Sequence, residues 1–418
     1  MNRLQQFSLF LTLFMLLYGG IQFYVFRHYR RWIKKSVLPD RYGTWMRVAL
    51  WVISIGNVLF LVQFVLRWYG WYAHLLPQIF VVYPSAWYFA SSVMAFVLLL
   101  VKDAGRLLLF LVRHLFSILR NLNRLDSTSY NPIPAQEINA GRRGFLKLSG
   151  MTLAAASIGA PVLASLATAR DYQINRITLS FDELPVGLDG LTLAQVSDLH
   201  SGPYMMEADM AEIFEITNSL SPDIILVTGD FVDSVDAEIP AVYNAISVLK
   251  AEVGVFGCLG NHDHFATAEK VLSALESRNV VMLNNRHHLL SLNGEQLTLA
   301  GIDDYGSGSR NFARPAETVK ELQPDSFKIM LSHRPDFFPE AKRLGMNLTL
   351  AGHTHGGQVG IEFGKINLNP VYLVHKYARG LYEEEGKKLY VNVGVGMVGA
   401  PIRLVRPEIT LFTLRKSA

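Results

Sequence analysis

The chain of 418 residues has one cysteine, Cys258, so no internal disulfide can form and no cage of thiolates can hold a metal. Charge is scarce too. Only 18% of the residues are Asp, Glu, Lys or Arg while 50% are hydrophobic, a balance more apolar than that of an ordinary soluble domain. The net charge of +4 is small for this length, and no nucleic-acid partner is expected. What remains is a chain with membrane segments and enough further length for a sizeable catalytic domain.

The hydrophobic excess lies before Arg170. Phe7–Phe26 and Val48–Leu66 each approach the ~20 residues that cross a bilayer core as a helix. Ile79–Val101 is a third such stretch, with Tyr83, Trp87 and Tyr88 at one end and Lys102 just beyond the other. Pro84 marks either a kink or the true start of that span. Between the first two spans Arg27, Arg30, Arg31, Lys34, Lys35, Arg41 and Arg47 face a single acidic residue, Asp40, whereas Arg67 alone charges the loop before the third. Positive loops stay inside. The N-terminus is therefore expected outside, and the first loop and the end of the third span in the cytoplasm.

Leu107–Leu119 is apolar but short, with Arg113 and His114 in its middle. On a helical projection Lys102, Arg106, Arg113, Arg120 and Arg124 fall within about 40° of one another. That is the pattern of a basic amphipathic helix on an anionic inner leaflet. The alternative is a fourth span whose arginine faces a bundle interior. Residues 1–125 thus read as a helical membrane region. Three or four spans without a buried acidic or paired charge give little to carry a transport pathway.

Residues 126–170 begin as a linker rich in Ser, Asn and Pro. Arg142 and Arg143 follow, then Phe145, Leu146 and Lys147, then a weakly apolar, alanine-rich stretch. This order resembles a twin-arginine export signal and implies the twin-arginine translocon as a partner, a machine that passes folded proteins. Being internal, the segment is expected to stay as an anchor. The expected location is a multi-pass protein of the cell inner membrane, with everything after Ala169 outside the cytoplasm.

From Asp171 to Ala418 the pattern turns to short strands alternating with helices. Leu191–His200, Pro222–Asp230, Val253–Asp263, Phe327–Pro335 and Leu348–His355 each open as a run rich in Val, Ile and Leu, as strands covered on both faces do. Each closes on Asp, His or Asn. In open α/β sheets that C-terminal rim is where ligands bind. Asp198, His200, Asp230, Asn261, His333, His353 and His355 are oxygen and imidazole donors without sulfur, a set suited to Mn, Fe or Zn. Seven donors are too many for one ion and suit a pair sharing one carboxylate. A single Asp after a strand more often caps a helix; five such motifs in one order do not have that explanation.

Asp-x-His, Gly-Asp, Gly-Asn-His-Asp, a lone His and Gly-His-x-His in this order resemble the calcineurin-like metallophosphoesterases, over about Leu184–Leu414. The resemblance implies a four-layer α-β-β-α sandwich and two divalent metal ions. One would be held by Asp198, His200 and His355, the other by Asn261, His333 and His353, with Asp230 bridging. His262 would act beside the substrate, oriented by Asp263, which would raise its pKa. The glycines around His353 and His355 would let backbone approach the ions, and Arg310, Arg334 and Arg379 are candidate phosphate contacts. Two such ions ~3.5–4 Å apart clamp a phosphate and activate water for in-line attack.

The family's reactions span phosphomonoesters, phosphodiesters and pyrophosphates, and the metal ligands do not separate them. Bilayer attachment favours a lipid-linked phosphoester by proximity alone. Some membrane-associated relatives cleave the pyrophosphate of UDP-diacylglucosamine, which is made on the cytoplasmic side, so an outside location argues against that role. A sensor or scaffold that binds a phosphorylated ligand without turnover is the alternative class, though no metal ligand of the pattern is missing.

Overall fold

The structure, a computed structural model, describes residues 3–36, 39–122, 152, 159, 170–306, 311–363, 366–399 and 403–417. The chain divides into two compact units: Met1–Leu61 with Tyr83–Leu163, and Val62–Val82 with Ala164–Ala418. The stretch Val62–Val82 thus belongs with the C-terminal domain, although the sequence reading groups it with the membrane region. The twin-arginine-like motif at Arg142 and Arg143 lies outside the described residues.

Three long helices make up the first unit: α1 (Arg3–Ser36), α2 (Pro39–Trp68, its last turns in the second unit) and α3 (Tyr83–Leu122). Among the described residues, α2 is long and apolar enough to cross a membrane. Phe14, Phe60 and Phe89, one from each helix, stack with centroids 5.4 to 6.1 Å apart. Gln22 and Asn57 exchange two amide hydrogen bonds of 2.8 and 2.9 Å, so these two side chains satisfy one another between the helices.

Two expectations change. Pro84 follows a helical turn at Leu75–Pro77 and a π-turn at Gln78–Val82 that run directly into α3, so it stands at a distortion within a helical run and not at its start. Leu107–Leu119 is not a helix of its own, because α3 runs unbroken through Lys102 for 40 residues. At 1.5 Å per residue that is about 60 Å, twice a bilayer core. The change from apolar to basic residues does not interrupt the helix, because Leu, Arg and Lys all favour it and a single Gly105 is tolerated. A paired charge is also present: Asp103 accepts hydrogen bonds from Tyr24 and from His28 Nε2, at 2.9 and 2.8 Å. It sits just past the expected span, not at its centre.

The second unit is built on two six-stranded sheets. Strands β1 (Gln173–Phe181), β2 (Thr192–Val196), β3 (Ile224–Thr228), β4 (Gly254–Cys258) and β5 (Val280–Met282) form the first, in the order β1-β14-β2-β3-β4-β5 once the last strand, β14 (Glu408–Lys416), inserts. The second holds β6 (Arg286–Leu292), β7 (Glu295–Ile302), β8 (Phe327–Ser332), β9 (Leu348–Ala351), β12 (Gly380–Glu384) and β13 (Lys387–Val391), in the order β12-β13-β9-β8-β7-β6. A small hairpin, β10 (Ile361–Phe363) with β11 (Ile366–Leu368), stands apart from both. Strands β2 to β5 are mutually parallel, as are β7, β8, β9 and β13.

Strict alternation along β3 shows why apolar runs serve both faces. Ile224 and Leu226 pack toward the other sheet with Leu299, Ile329, Leu331 and Leu350, while Ile225 and Val227 pack outward. The outward layer holds helices α4 (Glu207–Ser219), α5 (Ile239–Ile246) and α6 (Ala268–Glu276), through Phe214, Ile246 and Leu275. On the far side α7 (Phe338–Arg343) and the turn before it cover the second sheet through Phe337 and Ala341. Helices, sheet, sheet, helices is the four-layer sandwich. Between the sheets Gln195 joins the two, its amide donating to Thr228 Oγ1 and to the Ala351 carbonyl. Both sheets aim the C-terminal ends of their parallel strands at one rim.

Candidate metal centre

Strand β2 ends at Val196, and Asp198 and His200 follow with φ of 54° and 48°. Asp230, His353 and His355 have φ of 55°, 73° and 51° after β3 and β9. Five of the seven expected ligands thus occupy left-handed backbone, which L-residues other than Gly, Asn and Asp seldom adopt and which costs roughly 1–3 kcal/mol each. The bend takes each side chain out of the strand's alternation and back into the rim. Strain of this kind persists where the surroundings over-determine it, as at functional sites.

The side chains converge as two adjacent clusters. In the first, His200 Nε2 lies 3.0 Å from His355 Nε2, and His355 Nε2 lies 3.3 Å from Asp198 Oδ1. In the second, His333 Nε2 lies 3.0 Å from Asp230 Oδ2 and 3.3 Å from His353 Nδ1. Asp230 Oδ2 is also 3.5 Å from His200 Nε2, which places this carboxylate between the clusters. Asn261 Oδ1 is buried and accepts no hydrogen bond, an acceptor desolvated without return unless a cation faces it. Ring nitrogens brought this close, two carboxylates and that amide oxygen fit two divalent ions of the harder or borderline kind.

Outer partners set the ring orientations. His333 Nδ1 meets the Thr228 carbonyl at 2.8 Å, leaving its Nε2 for the centre, while His200 Nδ1 lies 3.1 Å from Asp233 Oδ1 without a hydrogen bond between them. His353 is reversed: Arg334 Nη1 lies 2.8 Å from its Nε2, so Nδ1 faces inward. Arg334 is itself held by Asp304 at 2.6 Å, and the structure gives it this orienting role where the sequence offered a phosphate contact. Arg310 lies outside the described residues, and Arg379 is half-buried with its N–H toward the Tyr382 hydroxyl.

Burial would raise both carboxyl pKa values, but His355 beside Asp198 and His333 beside Asp230 hold both well below the usual range. Burial pushes His355 down to about 3 and holds His353 well below its usual range, so both imidazoles are neutral, the form that ligates metal. For His333 burial is outweighed by Asp230, which raises it to about 10.

Asp263 does not orient His262. Its carboxylate accepts the backbone N–H groups of Asp230, Phe231, Val232 and Gly260 at 2.8 to 3.1 Å, tying the loop after β3 to the loop after β4. The partner of His262 is the Asp233 backbone carbonyl at Nδ1, with Asp233 Oδ1 3.6 Å away. Nor does Asp263 raise its pKa on balance, because burial of the ring dominates and the net shift is downward. The pairing of neighbours expected from Gly-Asn-His-Asp fails because the turn at Asn261–Phe265 sends the Asp263 carboxylate to backbone N–H groups and the His262 ring to Asp233.

The glycines also act differently from the expectation. A Cβ on Gly352 would lie 2.3 Å from Asp198 Oδ2, and one on Gly260 2.2 Å from Asp230 Oδ1, so these positions make room for the carboxylates themselves. Arg403, fully buried, was invisible in the sequence. It donates to the carbonyls of Val393, Gly394, Gly396 and Val405, fixing the loop after β13 that packs on Asp198. Only a fork of five donors can serve four carbonyls at once.

Residues 191–357 match the calcineurin-like phosphoesterase family. The chain is 33% identical over 245 residues to the uncharacterized metallophosphoesterase YkuE of Bacillus subtilis, covering 57% of this chain and 84% of that one. It belongs to the calcineurin-like metallophosphoesterases. A zebrafish transmembrane protein with metallophosphoesterase domain is 29% identical over 253 residues, 58% of this chain and 57% of its own. The corresponding bovine protein is 28% identical over 270 residues, 61% of this chain and 60% of its own.

Proposed function

We propose that the chain is a membrane-anchored, dinuclear phosphoesterase that hydrolyses a phosphomonoester, phosphodiester or pyrophosphate bond. The observation that carries this reading is the sharing of Asp230 between two clusters of histidines and carboxylates. A bound pair of divalent ions supplies Lewis acidity toward the phosphate and lowers the proton affinity of water. The protein holds the His333 and His353 rings through Thr228 and Arg334, so these ligands are preorganised for turnover. His262, its Nδ1 fixed on the Asp233 carbonyl, presents Nε2 toward the leaving oxygen and donates a proton when charged. The full chain in detergent micelles, given Mn²⁺, is expected to hydrolyse at least one of an aryl phosphomonoester, an aryl phosphodiester and a pyrophosphate. A folded, metal-loaded sample inert toward all three would leave the phospho-ligand scaffold as the better reading.

Attachment to a bilayer favours a lipid-linked substrate, and the relatives named as transmembrane proteins support the attachment. The topology we propose is a multi-pass inner-membrane protein with its catalytic domain outside the cytoplasm. Support comes from α2, which carries Arg41 and Arg47 near its start and ends in the segment that belongs to the catalytic unit. Return of the chain after α3 falls to the twin-arginine-like segment, through the translocon. Protease added to intact spheroplasts is expected to digest the domain, and changing Arg142 and Arg143 to Lys to abolish that digestion. Protection of the unsubstituted chain would reverse the topology and make a nucleotide-lipid pyrophosphate such as UDP-diacylglucosamine the better substrate.

A further inference from the structure

Arg67 ends α2 and belongs to the same compact unit as the catalytic domain. Its Nε donates to Glu238 Oε1 at 2.7 Å and its Nη2 to Asp233 Oδ2. Glu238 is fully buried, and its second oxygen accepts the backbone N–H groups of Ser234 and Val235 at 2.6 and 3.0 Å. The guanidinium thus joins two carboxylates at the two ends of the Asp233–Glu238 turn, with Tyr72 of the same incoming segment buried beside it. The far side of that turn faces the metal centre. Asp233 Oδ1 stands 3.1 Å from His200 Nδ1, and the Asp233 carbonyl takes His262 Nδ1.

We infer that Arg67 is a positioning residue of the catalytic centre, supplied from the end of the membrane helix, which sets His200 and His262 through Asp233. It touches neither substrate nor ligand atoms. Its action is geometric: a planar fork bridges both carboxylates in fixed directions, which a lysine ammonium on a flexible stem does not reproduce. Without it, two carboxylates confront one another across a short turn, and the turn relaxes away from the histidines. The consequence reaches function, since the segment that continues the membrane helix holds the turn beside the catalytic histidine.

This inference rests on the phosphoesterase reading, and the test separates the two. The full chain in detergent, with the substrate probe it hydrolyses best, is compared with Arg67→Ala, Arg67→Lys, Asp233→Asn and the Arg67→Ala/Asp233→Asn double variant. Arg67→Ala is expected to lose about 10- to 100-fold in kcat, the scale of a misplaced catalytic group, with KM and two bound metals per chain retained. Added guanidinium ion restores part of the loss, Arg67→Lys falls between, and the double variant loses less than the product of the single losses. If Arg67→Ala does not fold, Arg67→Lys carries the comparison. An unchanged kcat in the Arg67 variants overturns the inference while leaving the phosphoesterase standing. A kcat loss that only follows lost metal or lost folded protein also overturns it, since Arg67 would then be structural. No turnover in the unsubstituted chain takes both readings down.

Discussion

Changing Asp230 to Asn is expected to empty both metal positions and to lower turnover by about 10³-fold or more, the equivalent of a few kcal/mol of transition-state stabilisation. The effect is large because one carboxylate serves two clusters: its Oδ2 lies 3.0 Å from His333 Nε2 and 3.5 Å from His200 Nε2. The amide keeps the shape and removes the charge, so the fold should survive. Asp263 still ties the neighbouring backbone N–H groups, and Asp230 is held in its left-handed conformation from both sides. Elemental analysis and circular dichroism of the same sample check this. A protein that keeps two ions per chain would show that Asp230 does not bridge.

His262→Ala is expected to do the opposite to the metals. Turnover should fall by roughly 10²- to 10⁴-fold, the range for loss of a general acid, while metal content stays near two per chain. The reason is local: the backbone N–H of residue 262 donates to Asp230 Oδ1 at 2.8 Å, and an alanine keeps that bond. The ring belongs to neither the group of Asp198, His200 and His355 nor that of Asp230, His333 and His353, although it gathers with His200 and Asp233 in a third, 4.6 Å from the His200 ring in an edge-on contact. Loss of one ion in this variant would place His262 among the ligands instead.

The rim of donors was legible because strands buried on both faces write themselves as apolar runs, and the first polar residue after each run must lie at the sheet's edge. That logic located Asp198, Asp230, Asn261, His333 and His353 by strand and by end. It could not show the left-handed turns at Asp198 and His355, since sequence rules reserve such backbone for glycine and the strain is imposed by tertiary contacts. Partners distant in sequence were equally hidden. Asp304 lies 30 residues from the Arg334 it holds, and Arg67 lies 166 from Asp233. Asp263 stands next to His262 in sequence yet turns to the backbone of Asp230 and Gly260, because adjacency is visible in a sequence and direction is not. The continuity of α3 is hidden because composition changes along it while helix propensity stays high apart from a single Gly105.

The central claim is that two ions held by this rim perform the hydrolysis. The full chain, stripped with a chelator and titrated with Mn²⁺ while hydrolysis and bound metal are followed together, tests it most directly. The account predicts no turnover in the stripped protein and a rise that saturates at two ions per chain. Saturation at a single ion, or hydrolysis that survives stripping, would contradict it.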